Sequence, residues 1–188
     1  MKYKNFFYTS AIVMSTLLTF SVGKATAQTT ANGPYYAWPS WDQQLPASTR
    51  FIVLSNWKDA DFPSGGAAVL DRETGLVWQR SSTLHSNWSD AQSNCNGNKT
   101  GGRMGWRLPT LQELASLVDR AQSNPTLPSG HPFQNVQSSF YWSATTNAAL
   151  GAGFAWGVSF DVGGVNVLTK SVQNFVWCVR GGQGVDPQ

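Results

Sequence analysis

Cys95 and Cys178 are the only cysteines among 188 residues, and what they can hold together depends on the compartment the chain enters. In an oxidising compartment an even count argues for one structural disulfide; in a reducing one it argues for metal or redox chemistry. The N-terminus argues for the oxidising setting. Lys2 and Lys4 precede a mostly apolar run from Phe6 to Val22, and Ala25-Thr26-Ala27 follows. A basic n-region, an apolar h-region and a small-x-small site read as a secretory signal peptide. Thr9, Ser10, Ser15, Thr16, Thr19 and Ser21 make the run too polar for a membrane anchor. No cysteine precedes Cys95, which argues against a lipid-anchored lipoprotein. Residues 1–27 are therefore expected to be removed and the chain exported to the periplasm, the cell surface or the medium. The mature chain is expected to have no transmembrane segment.

A Cys95–Cys178 bond would close a loop spanning 83 positions, worth roughly 4–5 kcal/mol in the chain-entropy model. A catalytic thiol or a metal pair is the alternative, but there is no C-x-x-C and neither histidine neighbours a cysteine.

Removing the leader also changes the charge. The formal net charge of +3 includes Lys2, Lys4 and Lys24; without them the 13 basic residues fall to ten, against ten acidic ones. A neutral mature chain carries no electrostatic footprint for nucleic acid. The roughly 160 residues that remain suit one domain with its own core. All nine tryptophans lie in that part, and charged residues are sparse.

Residues 28–49, with Tyr35, Tyr36, Trp38 and Trp41, lack periodicity and read as an N-terminal arm. The domain is expected over 50–182, followed by a tail at 183–188. RFIVL (50–54) is a strand candidate. AAVLDRETGLVWQRS (67–81) reads as a hairpin in which Gly75 supplies a positive-φ turn position. In NWSDAQSNC, Trp88, Ala91 and Cys95 share one face of a short helix. Asn87 can cap it, Asp90 favours its first turn and Gly97 marks its end. In WRLPTLQELASLV, Thr110 and Glu113 form a capping box, and Leu111, Leu114, Leu117 and Val118 an apolar stripe. The rest is β-patterned: SFYWSAT (139–145), FAWGVSF (154–160), VNVLTK, and NFVWCVRGG as a closing strand.

No catalytic constellation stands out. His85 and His131 lie in polar loop contexts, and no nucleophile elbow, zincin helix, phosphate loop or EF-hand is present. Asp71 and Glu73 read as solvated turn acids; Asp59 and Asp61 beside Asn56 form a weak calcium candidate. Trp78, Trp88, Trp106, Trp142, Trp156 and Trp177 occupy regular positions and read as core. Trp57 and the arm aromatics lie in irregular segments and are candidate platforms for sugar rings.

Together, VLDRETGLVWQ, NWSDAQSNC, GGRMGWRLPTLQEL, YWSATT and NFVWCVRGG resemble the family typified by the C-terminal domain of the Legionella collagen-like adhesin, from about Arg50 to Gly182. That family is similar to C-type-lectin-like domains. The resemblance implies an α+β, C-type-lectin-like fold: two short helices packed on a small twisted, mostly antiparallel sheet, with the helix cysteine bonded to the last strand. It further implies an exported binding domain, the adhesin itself engaging sulfated polysaccharides. Neither the collagen-like repeats nor the calcium motifs of lectins are present. WRLPT also resembles the formylglycine-generating-enzyme and sulfoxide-synthase fold, but neither the free active-site thiols of the one nor the histidine-rich iron motif of the other is visible.

The resulting expectation is a non-enzymatic module, without metal or cofactor, that recognises carbohydrate or polysaccharide. A structural role bound to an envelope protein is the second reading, and a formylglycine-generating-enzyme-like enzyme the third. The ligand is expected on the TTNAALGAG loop, at Thr145, Thr146 and Asn147, with Trp57 as an aromatic platform. Arg107, Thr110 and Glu113 are expected to be structural, with the guanidinium of Arg107 fastening the strand-to-helix corner. The oligomeric state is left open.

Overall fold

The computed structural model describes residues 45–181. The 1–27 leader, the 183–188 tail and most of the 28–49 arm, including Tyr35, Tyr36, Trp38 and Trp41, lie outside the described residues. The chain is α+β. In order its elements are α1 (Ala47–Arg50), β1 (Phe51–Val53), β2 (Ala68–Asp71), β3 (Leu76–Gln79), β4 (Thr83–His85) and α2 (Trp88–Gly97). A 3-10 turn (Thr100–Gly102) then leads to β5 (Trp106–Arg107), α3 (Leu111–Ala115), β6 (Phe140–Thr146), β7 (Phe154–Ser159), β8 (Val165–Thr169), β9 (Asn174–Val176) and β10 (Val179–Gly181).

Among the described residues ten strands form two sheets rather than one, in the orders β1-β2-β3-β10-β5 and β4-β9-β6-β7-β8. Within the two sheets the strands pair antiparallel except β6 with β9, which meet at Tyr141 and Phe175. The closing segment, expected as a single strand, is two: β9 belongs to the second sheet and β10 to the first. Trp177 and Cys178 sit at the crossover, and each enters a different core. Trp177 is the hub of one, with ring centroids 4.6 Å from Phe133, 5.7 Å from both Tyr141 and Phe160, and 6.0 Å from Trp78. Its indole N–H donates to the Gln79 carbonyl at 2.7 Å, so the ring is buried with its polar atom satisfied. Cys178 enters the second core with Cys95, Trp106 and Trp142.

The disulfide is present between Cys95 and Cys178, both fully buried, with their Cα atoms 5.3 Å apart. It ties α2 to the sheet crossover. Asn87 caps that helix by accepting from Asp90 N–H at 2.9 Å, satisfying one of the free donors of the first turn.

Among the described residues three α-helices are present where two were expected, because a short helix, α1, leads into Arg50. The cause is a buried ion cluster. Arg50 donates from Nε and Nη2 to the two oxygens of Asp71, at 3.0 and 2.8 Å, and its Nη1 lies 3.0 Å from Glu73. Arg50 and Asp71 are completely buried and Glu73 nearly so. Asp71 and Glu73 are therefore not solvated turn acids. The buried guanidinium has a carboxylate on either side, and its Nη2 also donates to the Ser116 carbonyl at 2.9 Å, so the cation is compensated. Glu73 also accepts from Leu45 N–H at 2.6 Å, which fixes where the arm enters the domain.

Candidate functional site

The WRLPT corner is built from the first turn of α3 outward. Thr110 accepts from Glu113 N–H at 3.2 Å, and the Glu113 carboxylate accepts from Thr110 N–H at 2.8 Å. That closes the capping box. The same carboxylate takes a two-pronged bond from Arg107, with both N–O distances 2.7 Å. Arg107 also donates to the carbonyls of Leu108 and Gly181, each at 3.2 Å. One side chain thus links β5, α3 and β10. Its fork geometry matches a carboxylate as an ammonium could not.

Strand β6 is pinned to this corner by a bulge. Its register with β7 breaks between Trp142 and Thr146. Within the break Ala144 N–H donates to the Pro109 carbonyl at 2.7 Å, and the Thr145 hydroxyl oxygen accepts from Leu111 N–H at 3.0 Å. Trp88 donates from α2 to the Ser143 carbonyl at 2.8 Å. The YWSATT and WRLPT sequences are therefore two sides of one joint.

The loop expected to hold ligand follows that joint. Thr145 and Thr146 belong to β6 rather than to the loop, and Thr145 spends an acceptor site on α3. Asn147 is 8% exposed, and its side chain accepts from Leu150 N–H at 2.9 Å, so it shapes the turn. Thr146 and positions 148–153 are exposed.

Trp57 lies in different surroundings. It is half-buried, edge-on to Trp106 at 6.2 Å, and packs against the second core. Two guanidinium groups approach its ring, Arg103 at 5.3 Å and Arg180 at 5.9 Å from the centroid. Arg180 is held there by donating from Nε to the Met104 carbonyl at 2.7 Å. Gly101, at φ 72°, passes so close to the indole that a Cβ would lie 2.3 Å from Cε3; only glycine fits both that backbone and that approach. Gly101 N–H donates to the Lys58 carbonyl at 2.8 Å, and the Thr100 hydroxyl donates to Asp59 at 3.1 Å. These bonds lock the loop around Trp57 to the 3-10 turn. Asp59 is spent in this network and also accepts from the N–H groups of Asp61 and Phe62. Lys58, Lys99 and Arg103 are exposed beside it.

Among the described residues no hydrogen bond, ion pair or ring contact joins Trp57 to Thr145, Thr146 or Asn147. They constitute two surfaces. The part played by Arg103 and Arg180 was not read from the sequence, since β10 is far along the chain from Trp57. The alternating hydropathy of NFVWCVRGG was the available signal: it places Arg180 on the face opposite Val179.

Of the tryptophans read as core, Trp78, Trp106, Trp142 and Trp177 are fully buried, whereas Trp88 and Trp156 are half-buried. His85 sits on β4, not in a loop, with Nε2 3.1 Å from the Thr83 hydroxyl. His131 lies against Phe133, 5.9 Å between ring centroids, and burial pushes its pKa below the usual histidine value. Among the described residues no cluster of His, Cys, Asp and Glu has metal-binding geometry, and no helix is long and apolar enough to cross a membrane.

No curated protein matches the chain. A family model described as the Lcl C-terminal domain matches residues 67–180, more than half of the sequence, from β2 to Arg180 in the last strand. The chain belongs to the Lcl C-terminal domain family.

Proposed function

We propose that this protein is an exported, non-enzymatic binding module of adhesin-like type that recognises carbohydrate at the cell surface. Membership of the Lcl C-terminal domain family supports the adhesin-like reading. The observation that carries the carbohydrate reading is the Trp57 surface. A half-buried indole, held in place by Gly101 and Trp106, has two guanidinium groups over its ring. An aromatic ring offers an apolar patch to the C–H face of a sugar, and planar N–H forks offer donors to hydroxyl or anionic substituents. The platform is tied to the disulfide-bonded core, so little ordering is needed on binding. The exposed part of the β6–β7 loop, Thr146 and positions 148–153, is the second surface in this reading.

Binding of the purified protein to immobilised glycans tests the assignment. Arg103→Ala and Arg180→Ala, which leave the indole in its core, are expected to weaken glycan binding at unchanged melting temperature. Full binding by both variants would move the site away from Trp57.

A further inference from the structure

The sequence has three methionines, Met1, Met14 and Met104. The first two fall in the leader expected to be removed, and Met104 is the sole methionine among the described residues. Both cysteines are joined in the Cys95–Cys178 disulfide, so among those residues the Met104 thioether is the one reduced sulfur. Methionine usually fills gaps in an apolar core. Met104 does the opposite: at 76% it is the most exposed large apolar residue described.

The loop around it stands open. A Cβ built on Gly102 would meet nothing within 4 Å, and one on Gly105 would meet only Nε of Arg180, at 3.9 Å. A small oxidant reaches the sulfur without any opening of the fold. The same loop is part of the Trp57 surface. Arg103, the preceding residue, places its guanidinium over the indole. Arg180 donates from Nε to the Met104 carbonyl while its guanidinium lies over the same ring. Among the described residues the Arg103 guanidinium and the two Nη groups of Arg180 have no hydrogen-bond acceptor.

We propose that Met104 is an oxidation site that tunes the Trp57 surface: a peroxide converts its thioether to the sulfoxide, whose oxygen takes up the Arg103 and Arg180 donors. The sulfur lone pair attacks one peroxide oxygen, the O–O bond breaks and an S–O bond forms. Sulfur gives up two electrons, and hydrogen peroxide, reduced, leaves as water. Reversal needs a thiol-dependent reductase, in which two thiols become a disulfide and the oxygen departs as water. The sulfoxide replaces a flexible apolar group with a polar one. Its oxygen accepts hydrogen bonds, and guanidinium N–H groups are strong donors. Two such groups are within the same loop contact: one on the preceding residue, one already bonded to the Met104 carbonyl. Donors engaged by the sulfoxide are withdrawn from outside acceptors. Only this consequence for sugar binding rests on the carbohydrate reading of the Trp57 surface; the modification itself needs no sugar.

Peptide mapping of the purified exported protein during hydrogen peroxide titration locates the site, and NMR of side-chain N–H groups reads its effect. Wild type, Met104→Leu and Met104→Gln are compared. Leucine keeps the apolar bulk without sulfur, and glutamine carries a neutral acceptor in place of the sulfoxide. The first oxygen is expected at Met104, with the Trp57 indole N–H and Arg180 Nε–H resonances moving as it is added. Met104→Gln should move both without peroxide, and Met104→Leu should show no movement on peroxide treatment. A sulfoxide that merely sits on the surface would shift only the amides of residues 103–105. First uptake of oxygen at another residue overturns the proposal, as does a Met104 sulfoxide that leaves the Trp57 and Arg180 resonances in place. Binding to immobilised glycans is expected to fall roughly fivefold on oxidation, the scale of one hydrogen bond; unchanged binding overturns the tuning. A protein that shows the shifts but binds no glycan in either form sinks the carbohydrate reading and leaves the oxidation site standing.

Discussion

Arg107 and Glu113 meet through two parallel hydrogen bonds of 2.7 Å, and the same carboxylate closes the capping box with Thr110. The Glu113 side chain is only 9% exposed, whereas that of Arg107 is 34% exposed. Solvent screens part of the attraction, so the larger cost of removing Arg107 comes from leaving a buried carboxylate short of donors. Arg107→Ala is expected to lower stability by about 2–4 kcal/mol. Arg107→Lys should also destabilise, because an ammonium cannot span both oxygens. Thr110→Ala, on the same corner, should cost only about 1 kcal/mol. Urea unfolding of the three variants measures the order; an Arg107→Ala effect no larger than that of Thr110→Ala would reduce the arginine to surface decoration.

Arg50 gives a sharper case of the same physics. With the arginine gone, Asp71 and Glu73 remain buried and without their cation. Arg50→Ala is expected to destabilise by about 3–5 kcal/mol. Thermal unfolding that shows a loss below about 1 kcal/mol would mean that the cluster relaxes into solvent.

The disulfide predicts a linked pair of observations. Mass spectrometry of exported protein should show cleavage near Ala27 and the loss of two hydrogens at Cys95 and Cys178. Cys178→Ser should reduce stability by roughly 4–5 kcal/mol, since an 83-residue separation is no longer constrained in the unfolded chain. Free thiols in folded exported material would contradict both.

His131 sets a pH dependence. Burial holds its pKa below the ordinary histidine value in the folded state, so the unfolded chain binds the proton more readily. Stability therefore falls as pH drops below about 6.5, the unfolded value, and its contribution levels off once pH passes the lower folded value. His131→Gln should flatten the stability profile in that window. Denaturant midpoints measured from neutral to mildly acidic pH check this; an unchanged slope in the variant would assign the titration to other groups.

Local rules carried much of the fold. The Thr110/Glu113 capping box, the Asn87 cap and the Gly75 turn depend on residues within four positions of one another, and each lies where its spacing put it. The β-patterning of the C-terminal half also gave strands. What escaped were features set by distant parts of the chain. Asp71 and Glu73 look like hairpin-turn acids until Arg50, about twenty positions earlier, is folded against them. NFVWCVRGG has continuous β-periodicity, so nothing local reveals that Trp177 and Cys178 pass from one sheet to the other. The candidate site divides in the same way: Thr145 and Asn147 are polar and near a turn, but Leu111 and Leu150 claim their oxygens. The cations beside Trp57 arrive from Arg103 and from Arg180 on the last strand.

Direct binding to glycans tests the central claim most closely. The purified protein, screened on an array of neutral and anionic glycans and then titrated calorimetrically against the strongest hit, should bind saturably without altering the sugar. Binding should be lost in an Arg103→Ala/Arg180→Ala double variant that keeps the wild-type melting temperature. Retention of an envelope protein with no glycan bound, or turnover of the sugar, would contradict a carbohydrate-binding module.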